Sequence, residues 1–299
     1  MTMSDFPAEL GPGATPARHV RLAPGVYFVA TPIGAARDIT LRALDILLSA
    51  DVIAAEDTRT ARKLMELHGV PLGERPLIAY HDHNGPAQRP RLLAALAEGK
   101  SLAYVSEAGT PLVADPGYQL GRAAIEAGAA VFAAPGASAA LAALNVSGLP
   151  SDRFLFAGFP PNASGAQKRW LEGLRDIDAT LLLYESPKRI HRLLDNLAET
   201  VGADREMALC RELTKRFEEV IRGSVVDVAK QIKDRSLKGE IVVVIGRGKP
   251  RQAATEDVEA ALTEALKTSR VKDAATEVAD RFGMPRREIY QLALKLGER

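Results

Sequence analysis

Charged and polar side chains stand together at several points where a short apolar segment ends. Glu56 and Asp57 follow one such segment together with Arg59, and His81 follows the next segment. A carboxylate or an imidazole can accept a proton from a weak nucleophile, and a guanidinium can stabilise the anion that forms. Asp57 and Glu56 are therefore candidates for a catalytic base, and His81 is a third. Arg59 and Arg211 are the candidate cations.

Each of these groups also has a plain structural alternative. Asp57 is placed to cap the helix that follows it, and His81 can be a solvated loop histidine. Arg211 opens a run of cations and acids that ends at Glu219, which a solvated hairpin with exposed ion pairs also explains. His81 and His83 bracket an acid, but no third ligand stands near them in the sequence, so we expect no metal site.

Two loops have the character of ligand-binding turns. Residues 106–117 contain two glycines and two prolines, so their backbone can approach a ligand closely, and Asp115 can accept hydrogen bonds from a ribose or an amino group. Residues 135–139 open a helix whose first amide groups would face the ligand. Neither loop has the GxGxxG or GxxxxGK[ST] pattern. The loops predict a nucleoside-type cofactor that is held differently from a dinucleotide or ATP.

The elements that must position these loops alternate between strand and helix. Amphipathic segments separate five short apolar runs, and Asp38 is placed as the N-cap of the first helix. Such alternation indicates βαβ units and a parallel sheet. The carboxyl ends of parallel strands lie at one edge, where ligands bind. We therefore expect five loops to meet there, and the strands that precede them are residues 26–30, 52–55, 77–80, 102–105 and 129–133.

The second half follows a different pattern after a pause near residues 147–150. Strand candidates at residues 206–210 and 217–221 stand too close together for a helical crossover, so we expect a hairpin and a mixed sheet. The other expected strands are residues 154–157, 180–184 and 240–245, with helices at about 166–174, 187–200 and 224–233.

The last segment is helical throughout. Residues 271–282 and 286–296 make a helix-turn-helix pattern, which either covers a domain edge or contacts nucleic acid. The expected organisation is a flexible leader at residues 1–21, an N-terminal α/β domain at 22–149, a C-terminal α/β domain at 150–249 and a helical tail at 253–299.

The composition is that of a globular protein without a strong bulk charge. The 299 residues carry a net charge of +1, so a nucleic-acid partner would have to be met by a local basic patch. Cys210 is the only cysteine and lies in an apolar run, which predicts a buried strand position and a reducing compartment. No apolar stretch approaches the ~20 residues that span a bilayer, and no signal-peptide pattern is present. We expect a cytoplasmic protein.

Several motifs occur in a fixed order between about residues 22 and 296. They include Thr31-Pro32-Ile33-Gly34, Glu56-Asp57-Thr58-Arg59, Ser106-Glu107-Ala108-Gly109-Thr110-Pro111, Tyr184-Glu185-Ser186-Pro187 and Lys238-Gly239-Glu240. Together they resemble the bacterial ribosomal RNA small subunit methyltransferase I family, which belongs to the tetrapyrrole-methylase-like superfamily.

The resemblance implies a fold, a cofactor and a reaction. It implies two α/β domains of the tetrapyrrole methylase type with a helical tail, S-adenosylmethionine in the cleft between the domains, and a homodimer. The implied reaction is 2′-O-methylation of a cytidine in the decoding region of 16S ribosomal RNA, in the small ribosomal subunit. The residues that it assigns to cofactor binding are Pro32, Gly109, Thr110, Pro111, Asp115, Pro116, Gly117, Pro135, Gly136, Ala137, Ser138, Ala139, Tyr184, Glu185, Ser186 and Gly239.

Two other functions stay open on the sequence. One is a tetrapyrrole C-methyltransferase on the same scaffold, which would need an acceptor trough for a macrocycle that carries many carboxylates. The other is a non-catalytic protein that senses a nucleotide or binds RNA. The helical tail and the Glu56-Asp57 loop favour RNA as the acceptor.

Overall fold

The computed structural model describes residues 17–114, 116–248, 255–282 and 284–297. The first half holds a five-stranded sheet with strand order 3-2-4-1-5, and every neighbouring pair in it is parallel. Its strands are β1 (Gly25–Val29), β2 (Val52–Ala55), β3 (Leu77–Ala79), β4 (Ser101–Val105) and β5 (Val131–Ala134). The helices that follow these strands in turn are α1 (Leu41–Ser49), α2 (Thr58–Leu67), α3 (Gly85–Ala97), α4 (Tyr118–Glu126) and α5 (Ala139–Ser147).

Both faces of this sheet are covered because its strands are apolar at successive positions. Leu47 of α1 and Met65 of α2 pack on one face, and Leu92 of α3 and Leu120 of α4 pack on the other. A fully buried leucine side chain contributes about 1.5–3 kcal/mol relative to an exposed one. The predicted parallel α/β sheet is therefore confirmed.

Two local predictions for this half were wrong. Asp38 lies in a short 3₁₀ turn (Ala36–Asp38), and Thr40 caps α1 instead, its hydroxyl accepting a hydrogen bond from the Ala43 amide at 3.1 Å. The fifth strand begins at Val131, two residues later than predicted, because Gly128 and its neighbours close the end of α4. The loop that follows β5 keeps its predicted place.

The second sheet is mixed, and its order is 6-7-10-8-9. The first pair is parallel, and all the other pairs are antiparallel. Its strands are β6 (Phe154–Gly158), β7 (Thr180–Glu185), β8 (Glu206–Arg211), β9 (Glu219–Ser224) and β10 (Ile241–Ile245), and its helices are α6 (Ser164–Leu174), α7 (Ile190–Leu197) and α8 (Val225–Ile232), with a π-helical turn at Ala198–Gly202.

The predicted hairpin exists, but its second strand starts later than residue 217. Strands β8 and β9 pair in antiparallel register from Arg211–Glu219 outward. Residues 212–218 form a tight loop in which Glu212 and Thr214 have left-handed backbone angles, so they cannot extend the ladder.

Helix α5 joins the two halves of the molecule. Its residues Ala143 and Leu144 pack against Leu182, Cys210 and Val242 of the second sheet. Cys210 is buried as predicted, and burial raises the pKa of its thiol to about 12. Because α5 starts directly after the β5 loop, the carboxyl edge of the first sheet faces the second sheet.

The chain ends in three helices with an apolar core of their own. They are α9 (Thr255–Ala265), α10 (Val271–Phe282) and α11 (Arg286–Gly297), and Leu262, Val278 and Ile289 lie at their centre. The predicted helix pair is confirmed, although Gly283 in its turn lies outside the described residues. None of the helices in the described ranges is long and apolar enough to cross a membrane.

Part of the predicted leader contacts the first half. The amide of Arg18 donates to Asp45 Oδ1 at 2.7 Å, and that of Val20 donates to Ser49 Oγ at 2.9 Å, both on α1. Residues 1–16 lie outside the described ranges. The four domain boundaries stay predictions.

Candidate functional site

The loops that follow the first five strands meet at one edge of the parallel sheet. Thr31, after β1, pairs with Gly109, after β4, through amide hydrogen bonds of 2.9 and 3.0 Å. The Thr110 hydroxyl donates to the carbonyl of Ala137, after β5, at 2.9 Å. The predicted convergence of these loops is therefore present.

A cavity of about 400 Å³ lies between this edge and the second sheet. That volume is in the range of small-molecule sites. The first half lines it with Ile33, Glu56, Glu107, Ala108, Gly109, Thr110, Val113, Ala114, Ser138 and Ala139, and the second half with Phe159, Tyr184, Glu185, Ser186, Pro187, Gly239, Glu240, Ile241 and Val242.

The β4 loop wraps the cavity in an unusual backbone conformation. Gly109 has φ +81°, and two non-glycine residues, Leu112 and Ala114, have φ +74° and +61°. Left-handed non-glycine residues cost free energy and persist where the surroundings hold them, commonly at ligand sites. The paired Thr31 and Gly109 amides are part of what holds this loop.

Glu56 is the acid of the β2 loop that faces the cavity. Its Oε2 accepts a hydrogen bond from the Glu107 amide at 3.1 Å. Burial raises the pKa of Glu56, and the nearby Glu107 and Asp82 carboxylates act in the same direction. A carboxylate with a raised pKa is a better proton acceptor than an ordinary one.

Asp57 has a different environment, which favours its structural alternative. It caps α2 and accepts from the Arg59 amide at 2.8 Å and from the Arg59 guanidinium at 3.2 and 2.8 Å. The hydrogen bond from the Arg59 side chain is the main cause that lowers the pKa of Asp57 to about 2. A carboxylate held in this way is a poor base at neutral pH. The side chain of Arg59 is 91% exposed.

His81 and Arg211 flank the cavity without lining it. The Nδ1 atom of His81 is buried and has no hydrogen-bond partner among the described residues. His81 also lies close enough to Glu56 to lower the pKa of that acid, against the larger effect of burial. Arg211 pairs with Glu219 at 3.1 Å and donates to the Lys238 carbonyl at 3.3 Å, so its charge is used within the second sheet.

The β7 loop forms the opposite wall. The Glu185 side chain is buried, and its Oε1 accepts hydrogen bonds from the Ser186 amide at 2.7 Å and from Arg189 Nε at 2.6 Å. Phe159 stands edge-on to Tyr184, with ring centroids 5.5 Å apart, and is 57% exposed. This wall therefore offers the ligand a fixed loop and an aromatic surface.

Gly239 lines the cavity, and the space around it leaves no room for a side chain. It has φ +88°, and a Cβ at this position would collide with the Glu212 carboxylate. That carboxylate accepts hydrogen bonds from the Glu240 amide at 3.0 Å and from Lys215 Nζ at 2.8 Å. Lys215 Nζ also contacts Glu240 Oε2 at 3.0 Å, so one lysine joins two acids at the cavity wall.

Part of the residue set that the sequence suggested lies behind the cavity wall. The Pro116 carbonyl accepts a hydrogen bond from the Tyr104 hydroxyl at 2.9 Å, and Gly117 packs against the Tyr104 ring. Asp115 lies outside the described residues. The suggested residues that do not appear in the described lining are Pro32, Pro111, Pro116, Gly117, Pro135, Gly136 and Ala137.

Sequence reasoning missed several residues that line the cavity. Glu107 and Glu240 stand inside motifs that the sequence already marked, and Phe159 directly follows β6, as the other site residues follow their strands. A rule that takes every residue after a strand end would have found Phe159. No group of three or more histidine, cysteine or acidic side chains suited to a metal occurs in the described part of the chain.

Comparison with known proteins agrees with this architecture. The family of Tetrapyrrole (Corrin/Porphyrin) Methylases matches residues 25–229, and the RsmI C-terminal HTH domain matches residues 252–297. Among solved structures, a uroporphyrin-III-C-methyltransferase from Thermus thermophilus has a TM-score of 0.53 at 24% identity, over 74% of this chain and 93% of that one. The methyltransferase CobJ has a TM-score of 0.57 at 20% identity, over 77% and 97%. At these identities the likeness concerns the fold.

Curated relatives are much more similar in sequence. Ribosomal RNA small subunit methyltransferase I of Mesorhizobium japonicum is 44% identical over 92% of this chain and 93% of its own length. The protein of the same name from Halalkalibacterium halodurans is 39% identical, over 89% and 93%. The chain therefore belongs to the tetrapyrrole methylase family and, within it, to the family of ribosomal RNA small subunit methyltransferase I.

Proposed function

We propose that the protein transfers a methyl group from S-adenosylmethionine to ribosomal RNA. The name of its relatives states methyl transfer and ribosomal RNA, and membership of the methylase family supports the donor. We propose further that the acceptor is the 2′-oxygen of a cytidine in the decoding region of 16S ribosomal RNA. The observation that supports this most is the cavity of about 400 Å³, which the loops after β1, β2, β4 and β5 enclose together with the second sheet.

The charge of the cavity lining fits this donor. Four glutamates contribute to the lining, Glu56, Glu107, Glu185 and Glu240, and the described lining includes no lysine, arginine or histidine. Glu185 and Glu240 are paired with Arg189 and Lys215, so the negative charge of the lining comes mainly from Glu56 and Glu107. S-adenosylmethionine carries a sulfonium and an ammonium group, and opposite charges attract more strongly where water is excluded. A cationic nucleoside is therefore a better occupant than an anionic one.

The residues proposed to hold the donor fall into two groups. Those that line the cavity would contact it, and they are Gly109, Thr110, Ser138, Ala139, Tyr184, Glu185, Ser186 and Gly239. Those that do not line the cavity would fix the loops in shape, and they are Pro32, Pro111, Pro116, Gly117, Pro135, Gly136 and Ala137. Asp115, which lies outside the described residues, stays a proposed donor contact. Gly136 illustrates the second role, since a Cβ there would approach the Ala30 Cβ to 2.9 Å.

The bound donor supplies an electrophilic methyl group on a sulfonium leaving group. A ribose hydroxyl is a weak nucleophile, and the protein must accept its proton as the oxygen–carbon bond forms. Glu56 is the proposed acceptor because it faces the cavity and has a raised pKa. His81 is the second candidate. Of the two candidate cations, the exposed Arg59 is proposed to act on the charge of the RNA from outside the lining, whereas Arg211 is paired with Glu219 and is proposed only to support the wall.

The acidic lining argues against a tetrapyrrole acceptor. A macrocycle with many carboxylates would meet the like charges of Glu56 and Glu107, which would repel it. Mass spectrometry of ribosomal RNA nucleosides from cells with and without the protein tests the proposal. We expect one 2′-O-methylcytidine to disappear without the protein. Methylation of uroporphyrinogen, with ribosomal RNA unchanged, would contradict the proposal.

We propose that the protein acts as a homodimer on the small ribosomal subunit in the cytoplasm. The resemblance to the family supports the dimer, and the relatives' name supports the subunit. Light scattering after size-exclusion chromatography of the full chain measures the oligomeric state. A mass near twice 32.0 kDa is expected, and a monomer at working concentration would contradict it.

A further inference from the structure

The loop between β8 and β9, which we call the hairpin tip (residues 212–218), is built around two exposed side chains. Phe217 is 60% exposed, and the Arg216 guanidinium lies 5.5 Å from the centroid of its ring. A single exposed apolar residue is common on protein surfaces. Phe217 is unusual because the loop that carries it is held by hydrogen bonds, because Arg216 lies against its ring, and because it stands beside the cavity.

The hairpin tip is held in a costly conformation. Glu212 and Thr214 have φ +53° and +65°. The Thr214 amide donates to Glu218 Oε2 at 2.6 Å, and the amides of Lys215 and Glu218 close successive turns at 3.0 and 3.1 Å. Such backbone strain is kept where the structure around it over-determines the loop. Phe217 is therefore presented by a preorganised support.

The hairpin tip lies against two segments that line the cavity. The Ala35 amide donates to Thr214 Oγ1 at 3.0 Å, two residues after Ile33 of the lining. On the other side, Lys215 Nζ contacts Glu240 Oε2 at 3.0 Å, and Glu240 is itself part of the lining. A molecule that touches Phe217 is thus next to the proposed methyl-transfer site.

The charges of the hairpin leave one cation available. Arg211 pairs with Glu219, and Lys215 pairs with Glu212 and Glu240. Arg216 has no carboxylate partner among the residues that the structure describes, and its only described contact is with the Phe217 ring. An exposed aromatic ring beside an unpaired guanidinium is the chemistry that binds unpaired bases and their phosphates.

We propose that Arg216 and Phe217 form a docking platform for single-stranded RNA next to the target nucleotide. Phe217 stacks on an unpaired base, and Arg216 contacts the adjacent phosphate. The platform rests on the proposed function, because it presupposes an RNA acceptor. It also explains how an acid-lined cavity receives a polyanion, since the attraction comes from outside the lining.

Binding of the full-length protein to small ribosomal subunits from cells that lack it tests the platform. Base–aromatic stacking contributes about 1–3 kcal/mol, so Phe217→Leu should weaken binding by about 5- to 150-fold. Arg216→Gln should lower the slope of log affinity against log salt by about 0.7. Phe217→Trp should keep the affinity, and its fluorescence should fall on binding by more than that of the wild type, which has Trp170 alone.

The control is Phe154→Leu, an exposed phenylalanine on the edge strand β6, which should bind like the wild type. S-adenosylmethionine affinity, measured by calorimetry, should change less than about twofold in all variants. Wild-type binding by Phe217→Leu, equal loss in Phe154→Leu, or a changed oligomeric state in Phe217→Leu would each overturn the platform. If one of these results is found while the wild type still methylates subunits, the docking platform is wrong and the proposed function stands. Absence of wild-type methylation would instead overturn the proposed function.

Discussion

The backbone amide of Glu107 donates a hydrogen bond to Oε2 of Glu56, with 3.1 Å between nitrogen and oxygen. This contact joins the loop after β4 to the loop after β2 and fixes one carboxylate oxygen of Glu56 at the cavity wall. The other oxygen is the one that we propose to receive the proton.

Glu56→Gln should lower kcat by about 10²–10⁴-fold, the usual contribution of a general base. The amide keeps the size of the side chain and can still accept from Glu107, so the loop should keep its shape. The loss of one lining charge should weaken donor binding, so kcat is measured at saturating donor. Burial raises the pKa of Glu56 above 4.5, and only the ionised form accepts a proton. Wild-type activity should therefore rise with pH through that raised pKa, and the variant should lack this limb. Steady-state rates from pH 4 to 8 measure it, and full activity in the variant would remove Glu56 as the base.

The same pKa shift predicts an effect on stability. Because the folded-state pKa of Glu56 lies above its unfolded value, stability from this group is present at low pH and is lost as pH rises through the folded pKa. Glu56→Gln should match the wild type in acid and become the more stable protein near neutral pH. Thermal unfolding at several pH values measures the difference. A variant that is less stable at pH 7 than the wild type would contradict a buried, weakly compensated carboxylate.

Asp57 should prove to be a helix cap. Asp57→Asn keeps a good N-cap, so activity should stay near the wild type and only the charged contact with Arg59 should be lost from its stability. Asp57→Ala should lose the cap as well, which costs about 1 kcal/mol of unfolding free energy. The pKa of Asp57 is lowered to about 2 from 3.8, so its stabilisation should be present above pH 3.8 and lost as pH falls toward 2. Denaturant titrations measure both effects. A large loss of kcat in a stable Asp57→Asn protein would restore Asp57 as a base.

Gly239→Ala should damage both folding and donor binding. The new Cβ would meet the Glu212 carboxylate, which Lys215 and the Glu240 amide hold in place. Gly99→Ala is the matched control, because Gly99 has a similar φ of +76° but nothing within 4 Å of the added atom. The control should lose about 1–3 kcal/mol from backbone strain alone, and Gly239→Ala should lose more and bind the donor at least ~10-fold more weakly. Equal losses in the two variants would mean that the collision has no cost.

Thr214→Val should weaken the contact between the hairpin tip and the loop after β1. The change removes the acceptor of the Ala35 amide, and an unpaired, partly buried amide costs about 1–3 kcal/mol. Thr276→Val at a half-buried position of α10 is the control, since its described hydrogen bond is to the Lys272 carbonyl of its own helix. Chemical denaturation compares the two. If Thr214→Val is no less stable than Thr276→Val, the hydrogen bond from Ala35 does not contribute to the free energy of unfolding.

The sequence was most informative where chemistry and periodicity coincide. Strand-end loops with glycine, proline and acids predicted the edge of the sheet where Gly109 and Glu56 now lie. It could not separate Glu56 from its neighbour Asp57, because the difference arises from burial and from the fold of Arg59 back onto Asp57. Nor could it distinguish a lining glycine from one that packs on Tyr104, as Gly117 does. The burial of Glu56 and the packing of Gly117 depend on contacts between separate segments, and the Arg59–Asp57 contact depends on the conformation of one side chain.

The cavity between the two sheets is the proposed donor site. A crystal structure of the full chain with S-adenosylmethionine bound tests this directly. We expect the adenosyl group between the Gly109 loop and the wall formed by Tyr184 and Gly239, with the sulfonium on the side of Glu56. Density for the donor at any other place on the molecule would contradict the account.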